Sequence, residues 1–294
     1  MVHVQTLNGR SASRPLPVLA SCVEARPFVK WVGGKRQLLS RLLPIFSGTD
    51  PSAAYHEPFV GGGALVFALR GQGRATRGRL SDVNKELINS YIAIRDFVDD
   101  VICNLRRHER LSNKEYFYRV RAQQPRTLPE IAARLIYLNK TCFNGLYRVN
   151  NSGGFNAPWG RNENPTICDE PNLKAVSATL STLALEVAPF ESVLDVARPG
   201  DVVYFDPPYV PVSTTSSFTE YSAGGFGRSE QERLASTFRE LDRRGNLVVL
   251  SNSDTTDARR LYAGFRIEQV FARRNVNTRA DRRGPVAEVI VRNF

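Results

Sequence analysis

The chain reads as blocks of hydrophobic periodicity that change along its length. Val202-Val203-Tyr204-Phe205 is an unbroken apolar run of strand length, the pattern of a strand buried on both faces. Residues 54–60 predict a short strand that runs into Gly61-Gly62-Gly63, and Ala64 to Leu69 then read as an apolar helix. A second strand is expected to end at Leu80-Ser81-Asp82. Asp82 or Asn84 can cap the following helix, whose stripe is Leu87, Ile88, Tyr91, Ile92, Ile94, Val98 and Ile102. Leu247–Leu250 predicts a further buried strand, and roughly 265–272 and 286–294 a hairpin around a basic loop. Ser229-Glu230-Gln231-Glu232 reads as a capping box for a helix carrying Leu234, Phe238 and Leu241. Strands alternating with helices predict an α/β, doubly wound, Rossmann-like sheet.

Two regions break the pattern. Residues 1–25 mix Ser, Pro, Arg and small residues without periodicity, as a mobile arm does. From about 100 to 190 strand signals are weak. Pro129 opens a helix through Leu138, and a loop rich in Asn, Gly and aromatic residues follows from Cys142 to Arg161. This block is expected to be a mostly helical insertion in the core.

Composition narrows the function. The net charge is +11 and almost all of the 40 basic residues are arginine. Arginine's planar fork suits phosphate oxygens and guanine edges, so a polyanionic partner is expected. The four cysteines are widely separated, and His3, His56 and His108 have no ligand spacing. A disulfide framework and a protein-bound metal are therefore not expected. No stretch reaches membrane-spanning length, and the N-terminal residues lack the order of a secretory signal, so a cytoplasmic protein with no membrane partner is expected.

Three constellations carry chemistry. Phe59-Val60-Gly61-Gly62-Gly63 lets backbone approach a ligand closely, and Asp82 stands 19 residues beyond Gly63, where an acid accepts from ribose hydroxyls. Taken alone, this also fits a nicotinamide or flavin cofactor, although the missing G-x-G-x-x-G argues against a pyrophosphate. Phe28-Val29-Lys30-Trp31-Val32-Gly33-Gly34-Lys35 places two glycines between a Trp and a Lys. Lys35 could meet a carboxylate, and Trp31 could pack on a sulfonium or on the core. Asp206-Pro207-Pro208-Tyr209 ends the strand 202–205 with an acid, two stiff prolines and an aromatic ring. That end of an open sheet is where ligands bind, and the set suits a planar ring bearing an amine.

In this order the three motifs resemble those of the Dam-type DNA adenine-N6 methyltransferases, over about residues 27 to 294. The resemblance implies S-adenosylmethionine as donor, S-adenosylhomocysteine as product and double-stranded DNA as partner, for a monomer or homodimer. It implies a donor-contacting set of Trp31, Lys35, Phe59, Gly61, Gly63, Asp82 and Asp206, with Lys35 toward the donor carboxylate and Asp82 toward its ribose. Asp206, Pro207, Pro208 and Tyr209 become the catalytic residues. Phe143-Asn144-Gly145-Leu146-Tyr147-Arg148 resembles the family's DNA-reading hairpin, in which the aromatic wedges into the duplex and the arginine reads a guanine. Lys30, Phe143, Asn144, Leu146, Arg148, Pro158 and Arg161 are the implied DNA contacts. Arg273, Arg274, Asn275, Asn277, Arg279 and Arg282 resemble a family loop near the DNA. The implied organisation is an arm over 1–26, a catalytic domain over 27–100 and 195–294, and a target-recognition domain over 101–194. The alternatives are an RNA or protein-glutamine methyltransferase, since related tetrapeptides serve other planar amines, and a DNA-binding module without catalysis.

Overall fold

The computed structural model describes residues 23–31, 33, 35–150, 153–160, 162, 164–209, 226–273 and 285–294. Among them seven strands form one sheet in the order β3-β2-β1-β4-β5-β7-β6. They are β1 (Tyr55–Glu57), β2 (Gly78–Asp82), β3 (Leu183–Val187), β4 (Val202–Phe205), β5 (Leu247–Ser253), β6 (Arg266–Arg273) and β7 (Pro285–Arg292). The first five run parallel to one another, and β7 is inserted antiparallel between β5 and β6. The order reverses between β1 and β4, so the carboxyl ends of those two strands flank the crevice of a doubly wound sheet.

The apolar run of β4 alternates between two cores. Val202 and Tyr204 join the cluster beneath the N-terminal helices, and Val203 and Phe205 join the cluster under the C-terminal ones. A strand covered on both faces needs no polar side, which is why its sequence shows no alternation. The helices are α1 (Leu39–Ser47), α2 (Ala64–Gly71), α3 (Lys85–Asp96), α4 (Val98–Leu111), α5 (Lys114–Ala122), α6 (Leu128–Thr141), α7 (Glu170–Leu180), α8 (Arg228–Arg243) and α9 (Thr256–Leu261). Helix α6 packs on α3, α4 and α5, which makes the helical block expected between the sheet halves.

Several expectations need correction. The strand expected over 54–60 ends at Glu57, because Pro58 has no N–H to give the ladder. The stripe from Leu87 to Ile102 is two helices. Asn84 caps α3, its Oδ1 accepting from Leu87 N–H at 3.0 Å. Phe97 then leaves helical geometry at φ −140°, ψ 40°, and Asp99 and Asp100 open α4. Helix α8 begins two residues before the expected box: Glu230 accepts from Gly227 N–H at 2.9 Å, and Glu232 pairs with Arg228 instead. The block expected as insertion over 101–194 contains β3, which is a strand of the main sheet paired with β2. As an edge strand, Leu-Ala-Leu-Glu-Val is half solvent-exposed and carries little apolar signal. The hairpin expected at the C-terminus is present as β6 and β7. Of the arm over 1–26, residues 1–22 lie outside the described residues. Arg26 is clamped to α7 by Asn172, which accepts from its N–H at 2.9 Å and donates to its carbonyl at 3.1 Å.

Candidate active site and recognition loop

The turn after β4 delivers Asp206 to the crevice, its side chain 18% exposed. Lys35 Nζ stands 2.8 Å from Asp206 Oδ1, donates to the Gly33 carbonyl at 2.8 Å and lies 4.1 Å from the centre of the Tyr209 ring. Ser251, on the neighbouring strand β5, donates to the same Asp206 oxygen at 2.9 Å, and the Tyr204 hydroxyl stands 3.0 Å from Ser251 Oγ. Burial pushes the Asp206 carboxyl above the usual carboxylate range, while Lys35 and Ser251 pull it back. The Tyr209 hydroxyl donates to Glu288 Oε2 on β7 at 2.7 Å. Burial, with Asp206 and Glu288 nearby, keeps this phenol protonated far above neutrality.

The tetrapeptide's backbone is held as well. Gln231, in the first turn of α8, donates to the Pro208 carbonyl at 3.1 Å. Asn252 donates to Gln231 Oε1 at 3.0 Å and accepts from Ser253 N–H at 2.8 Å. Both amides are buried. Pro207 is buried and Pro208 partly so.

A second cradle lies at the carboxyl ends of β1 and β2. Gly61 and Gly63 have φ of +48° and +70°, and a Cβ on Gly61 would stand 2.8 Å from Trp31 Cδ1. The turn therefore needs glycine both for its torsions and for the closeness of the indole. Trp31 in turn stacks on Tyr147, centroids 4.9 Å apart. Asp82 accepts from Gly61 N–H at 3.2 Å and Asn84 N–H at 2.9 Å. Burial raises its carboxyl to about 6 despite those bonds. Phe59 stacks on Phe190 at 5.4 Å and meets Phe226 edge-on at 5.6 Å. Glu57 is buried beneath the turn, accepting from the Tyr55 hydroxyl at 2.9 Å and from Val66 N–H. It thereby caps α2, whose own N-cap, Gly63, has no side chain to do so.

The loop that carries the implied DNA contacts leaves the end of α6. Phe143–Gly145 form one 3-10 turn with Asn144 at φ 57°. Antiparallel bridges join Cys142 to Trp159 and Val149 to Phe155. Phe143 N–H donates to the Pro158 carbonyl at 2.9 Å and Gly160 N–H to the Thr141 carbonyl at 2.8 Å. With the backbone so tied, the Phe143 ring is 43% exposed. Asn144, Arg148 and Pro158 are also exposed and Leu146 partly so. Arg148 donates to the Asn156 carbonyl at 3.1 Å. Lys30 is exposed beside this loop: a Cβ on Gly145 would stand 2.5 Å from Lys30 Cδ. Asn139, fully buried on α6, accepts from Lys30 N–H at 2.7 Å and donates to the carbonyls of Lys30 at 2.9 Å and Gly145 at 3.0 Å.

The implied donor and catalytic residues thus fall after the carboxyl ends of β1, β2 and β4 or in the segment of Trp31 and Lys35 beside them, and six of the seven implied DNA contacts lie on the loop or beside it. Arg161 lies outside the described residues, as do Arg274, Asn275, Asn277, Arg279, Arg282 and nearly all of the Ser213–Gly227 loop. Sequence reasoning missed Glu57, Asn139, Gln231, Ser251, Asn252 and Glu288. Ser251-Asn252-Ser253 had a visible signal, a polar triplet ending an apolar strand beside the switch point. Gln231 and Asn139 had none, because each is one amide within a helix.

The seven-stranded order with its antiparallel seventh strand, the glycine turn with an acid ending β2, and Asp-Pro-Pro-Tyr after β4 define a Rossmann-like S-adenosylmethionine-dependent methyltransferase. The family model of the D12 class N6 adenine-specific DNA methyltransferases matches residues 31–276, and the chain belongs to that family. It is 41% identical to the Type II methyltransferase M.MjaIII of Methanocaldococcus jannaschii, over 92% of this chain and 100% of that one. It is 39% identical to the Type II methyltransferase M1.LlaDCHI of Lactococcus lactis subsp. cremoris, over 92% and 96%. A DNA adenine methylase of Vibrio cholerae is 33% identical over 90% and 95%. These matches favour adenine in DNA over the RNA and protein-glutamine alternatives. No helix among the described residues is long and apolar enough to cross a membrane.

Proposed function

We propose that the protein methylates N6 of an adenine extruded from double-stranded DNA at a specific sequence, acting in the cytoplasm as a monomer or homodimer. The observation that carries this reading is the Asp206 carboxylate at the sheet's switch point, with Lys35 and the Tyr209 ring beside it. The glycine cradle, the Asp82 carboxylate and the Lys35 ammonium fit S-adenosylmethionine: close backbone for the nucleoside, an acceptor for ribose hydroxyls and a cation for the methionine carboxylate. Trp31 and Phe59 bound that space. When bound, the donor supplies an electrophilic methyl on a sulfonium that departs as the thioether of S-adenosylhomocysteine. No protein-bound metal is part of the reading.

The chain's own residues supply positioning. Adenine's N6 lone pair is delocalised into the ring and is a poor nucleophile. Asp206 and the Pro207 carbonyl accept the two N–H bonds of that amine, which favours a tetrahedral nitrogen aimed at the methyl. Tyr209 stacks on the base, its ring held by Glu288. Lys35 gives up Asp206 as the amine arrives and turns to the donor carboxylate. After transfer, the methylated nitrogen sheds one proton, and an Asp206 carboxylate oxygen is the nearest base for it. The base must leave the stack first, at a cost of about a few kcal/mol. Phe143 offsets part of that cost as a wedge, and Arg148 reads a guanine through O6 and N7. Asn144, Leu146, Pro158, Arg161 and Lys30 complete the contact. The helical block between α3 and β3 is the target-recognition domain.

Asp206→Ala is the test. In a purified assay with radiolabelled donor and plasmid DNA, methyl transfer should disappear while the Tm is retained. Turnover near that of the parent would overturn the mechanism.

A further inference from the structure

The two aromatic rings of the hairpin Phe143–Arg148 are used differently. Phe143 is 43% exposed, whereas Tyr147 is buried. Tyr147 directly precedes Arg148, so what fixes its ring also fixes the backbone from which Arg148 projects. The ring stacks on Trp31 with the planes 27° apart, and Phe155, on the returning leg of the loop, meets it edge-on at 5.8 Å. Its hydroxyl donates to Glu86 Oε2 at 3.0 Å, and the Asn84 side chain bonds the same oxygen. Burial and the Glu86 carboxylate raise the phenol well above its ordinary range, so it stays a hydrogen-bond donor.

These partners belong to two walls of the glycine cradle. Trp31 closes against Gly61. Asn84 and Glu86 open α3 directly after Asp82, which accepts from Asn84 N–H. Glu86 is itself braced from the helical block. Its Oε1 accepts from Arg134 Nη1 on α6 at 2.8 Å, and Arg134 donates its other N–H groups to the carbonyls of Val120 at 3.1 Å and Arg121 at 2.7 Å. The buried arginine holds Glu86, and Glu86 holds the phenol. One side chain of the loop thus meets the cradle at its Trp31 wall and at its Asp82 wall together.

We propose that Tyr147 is a specificity-determining positioning residue, which registers Arg148 on the donor cradle so that one arrangement of the loop serves both guanine reading and methyl transfer. The inference rests on the reading of the protein as a duplex-DNA methyltransferase with Arg148 as its guanine reader. Tyr147 acts through Arg148 on one side and through Trp31 on the other. The stack by itself lets the ring slide across the indole face. The bond to Glu86 pins its far end, and the residue is tyrosine because phenylalanine would keep the stack and lose the pin. A loop that slides still reaches the duplex, but it presents Arg148 out of line with O6 and N7 of the guanine, and a bidentate pair tolerates little misalignment.

The test starts from the sites that the parent methylates in plasmid DNA. Each G·C pair of a mapped site is replaced by A·T in turn, and discrimination is the ratio of kcat/KM on the intact duplex to that on the replaced one. Arg148→Gln identifies the pair that Arg148 reads, as the one at which discrimination collapses. A bidentate arginine–guanine pair discriminates about 10- to 100-fold. At that pair Tyr147→Leu should lose most of the ratio and Tyr147→Phe about 3-fold, with the other pairs of the site read as in the parent. Adding Tyr147→Phe to Arg148→Gln should cost no further discrimination, because the tyrosine acts through the arginine. A residue that only supports the fold would lower turnover on every duplex by the same factor and leave the ratio intact. That outcome, or equal loss at all pairs, or full additivity of the two substitutions, would overturn the proposal. If Tyr147→Leu does not fold, Tyr147→Phe decides the matter, since it keeps the ring and removes one oxygen. Failure of the underlying reading shows separately: the parent would leave no N6-methyladenine, or Arg148→Gln would read every pair as the parent does.

Discussion

The catalytic turn and the recognition loop are both irregular backbone, yet they are fixed by opposite means. Asp206–Tyr209 is held by side chains from its neighbours: Lys35 and Ser251 on the carboxylate, Gln231 on the Pro208 carbonyl, Glu288 on the phenol. The loop from Cys142 to Gly160 is held by its own backbone, through two bridges and the bonds at Pro158 and Thr141. Its chemistry-bearing side chains stay exposed. On the proposed function, the difference follows from the tasks. Methyl transfer needs reacting atoms held in one geometry, and a buried network supplies it. Reading a duplex needs a stiff frame whose side chains remain free to meet base edges.

Asn139 is where that contrast should break most visibly, because here the loop does lean on one side chain. Its amide serves Lys30 N–H, the Lys30 carbonyl and the Gly145 carbonyl together. Asn139→Leu leaves three backbone groups without it. At about 1–3 kcal/mol for each buried group left unmade, a loss of about 3 kcal/mol or more in unfolding free energy is expected from denaturant titration. If the loop were wholly backbone-held, the loss would stay below about 1 kcal/mol.

Gln231 sharpens the other side of the comparison. Gln231→Leu removes the donor to the Pro208 carbonyl and the acceptor for the Asn252 amide, without touching donor or DNA. We expect kcat to fall about 10- to 100-fold, about 1.4–2.7 kcal/mol, with KM for S-adenosylmethionine unchanged. Gln231→Glu, which keeps the shape and loses the N–H, should behave like the Leu variant. A matching rise in KM with constant kcat would make the contact one of binding, not of positioning.

The same contrast explains what could be read from the sequence. Motifs that place a reactive group at a strand end were legible, since β4 and its Asp-Pro-Pro-Tyr, the glycine turn, and Asp82 closing β2 each announce themselves within a few residues. Asn84 as a cap and the β6–β7 hairpin were legible for the same local reason. What failed was long-range. Strand β3 escaped because an edge strand needs only one apolar face, and the break at Phe97 escaped because the apolar stripe continues across it. Glu57 looked like an ordinary strand residue, and only the fold shows it buried under α2. The Gln231 amide and the Ser251 hydroxyl that hold the turn after β4 come from 23 and 45 residues beyond the residues they serve, and no local pattern encodes such pairings.

Asp82 provides the smallest and most pH-specific test. Its folded carboxyl sits at about 6 against an ordinary 3.8, so the folded protein binds that proton more tightly than the unfolded chain. The stability this contributes is fully present below pH 3.8, is lost as pH rises through 6, and is constant above. At roughly 1.4 kcal/mol per pKa unit the ceiling is about 3 kcal/mol, and partial contact of the half-buried carboxylate with water brings the expected effect to about 1 kcal/mol. Asp82→Asn cannot ionise. Its Tm should match the parent's near pH 4 and exceed it by a gap that opens through pH 6 and then stays level. Donor affinity measured by calorimetry should fall in the same variant, because the carboxylate that strains the fold is the proposed acceptor for the ribose hydroxyls. A gap independent of pH would mean that Asp82 is not held in the fold under strain. A gap with undiminished donor binding would leave the strain but remove its reason.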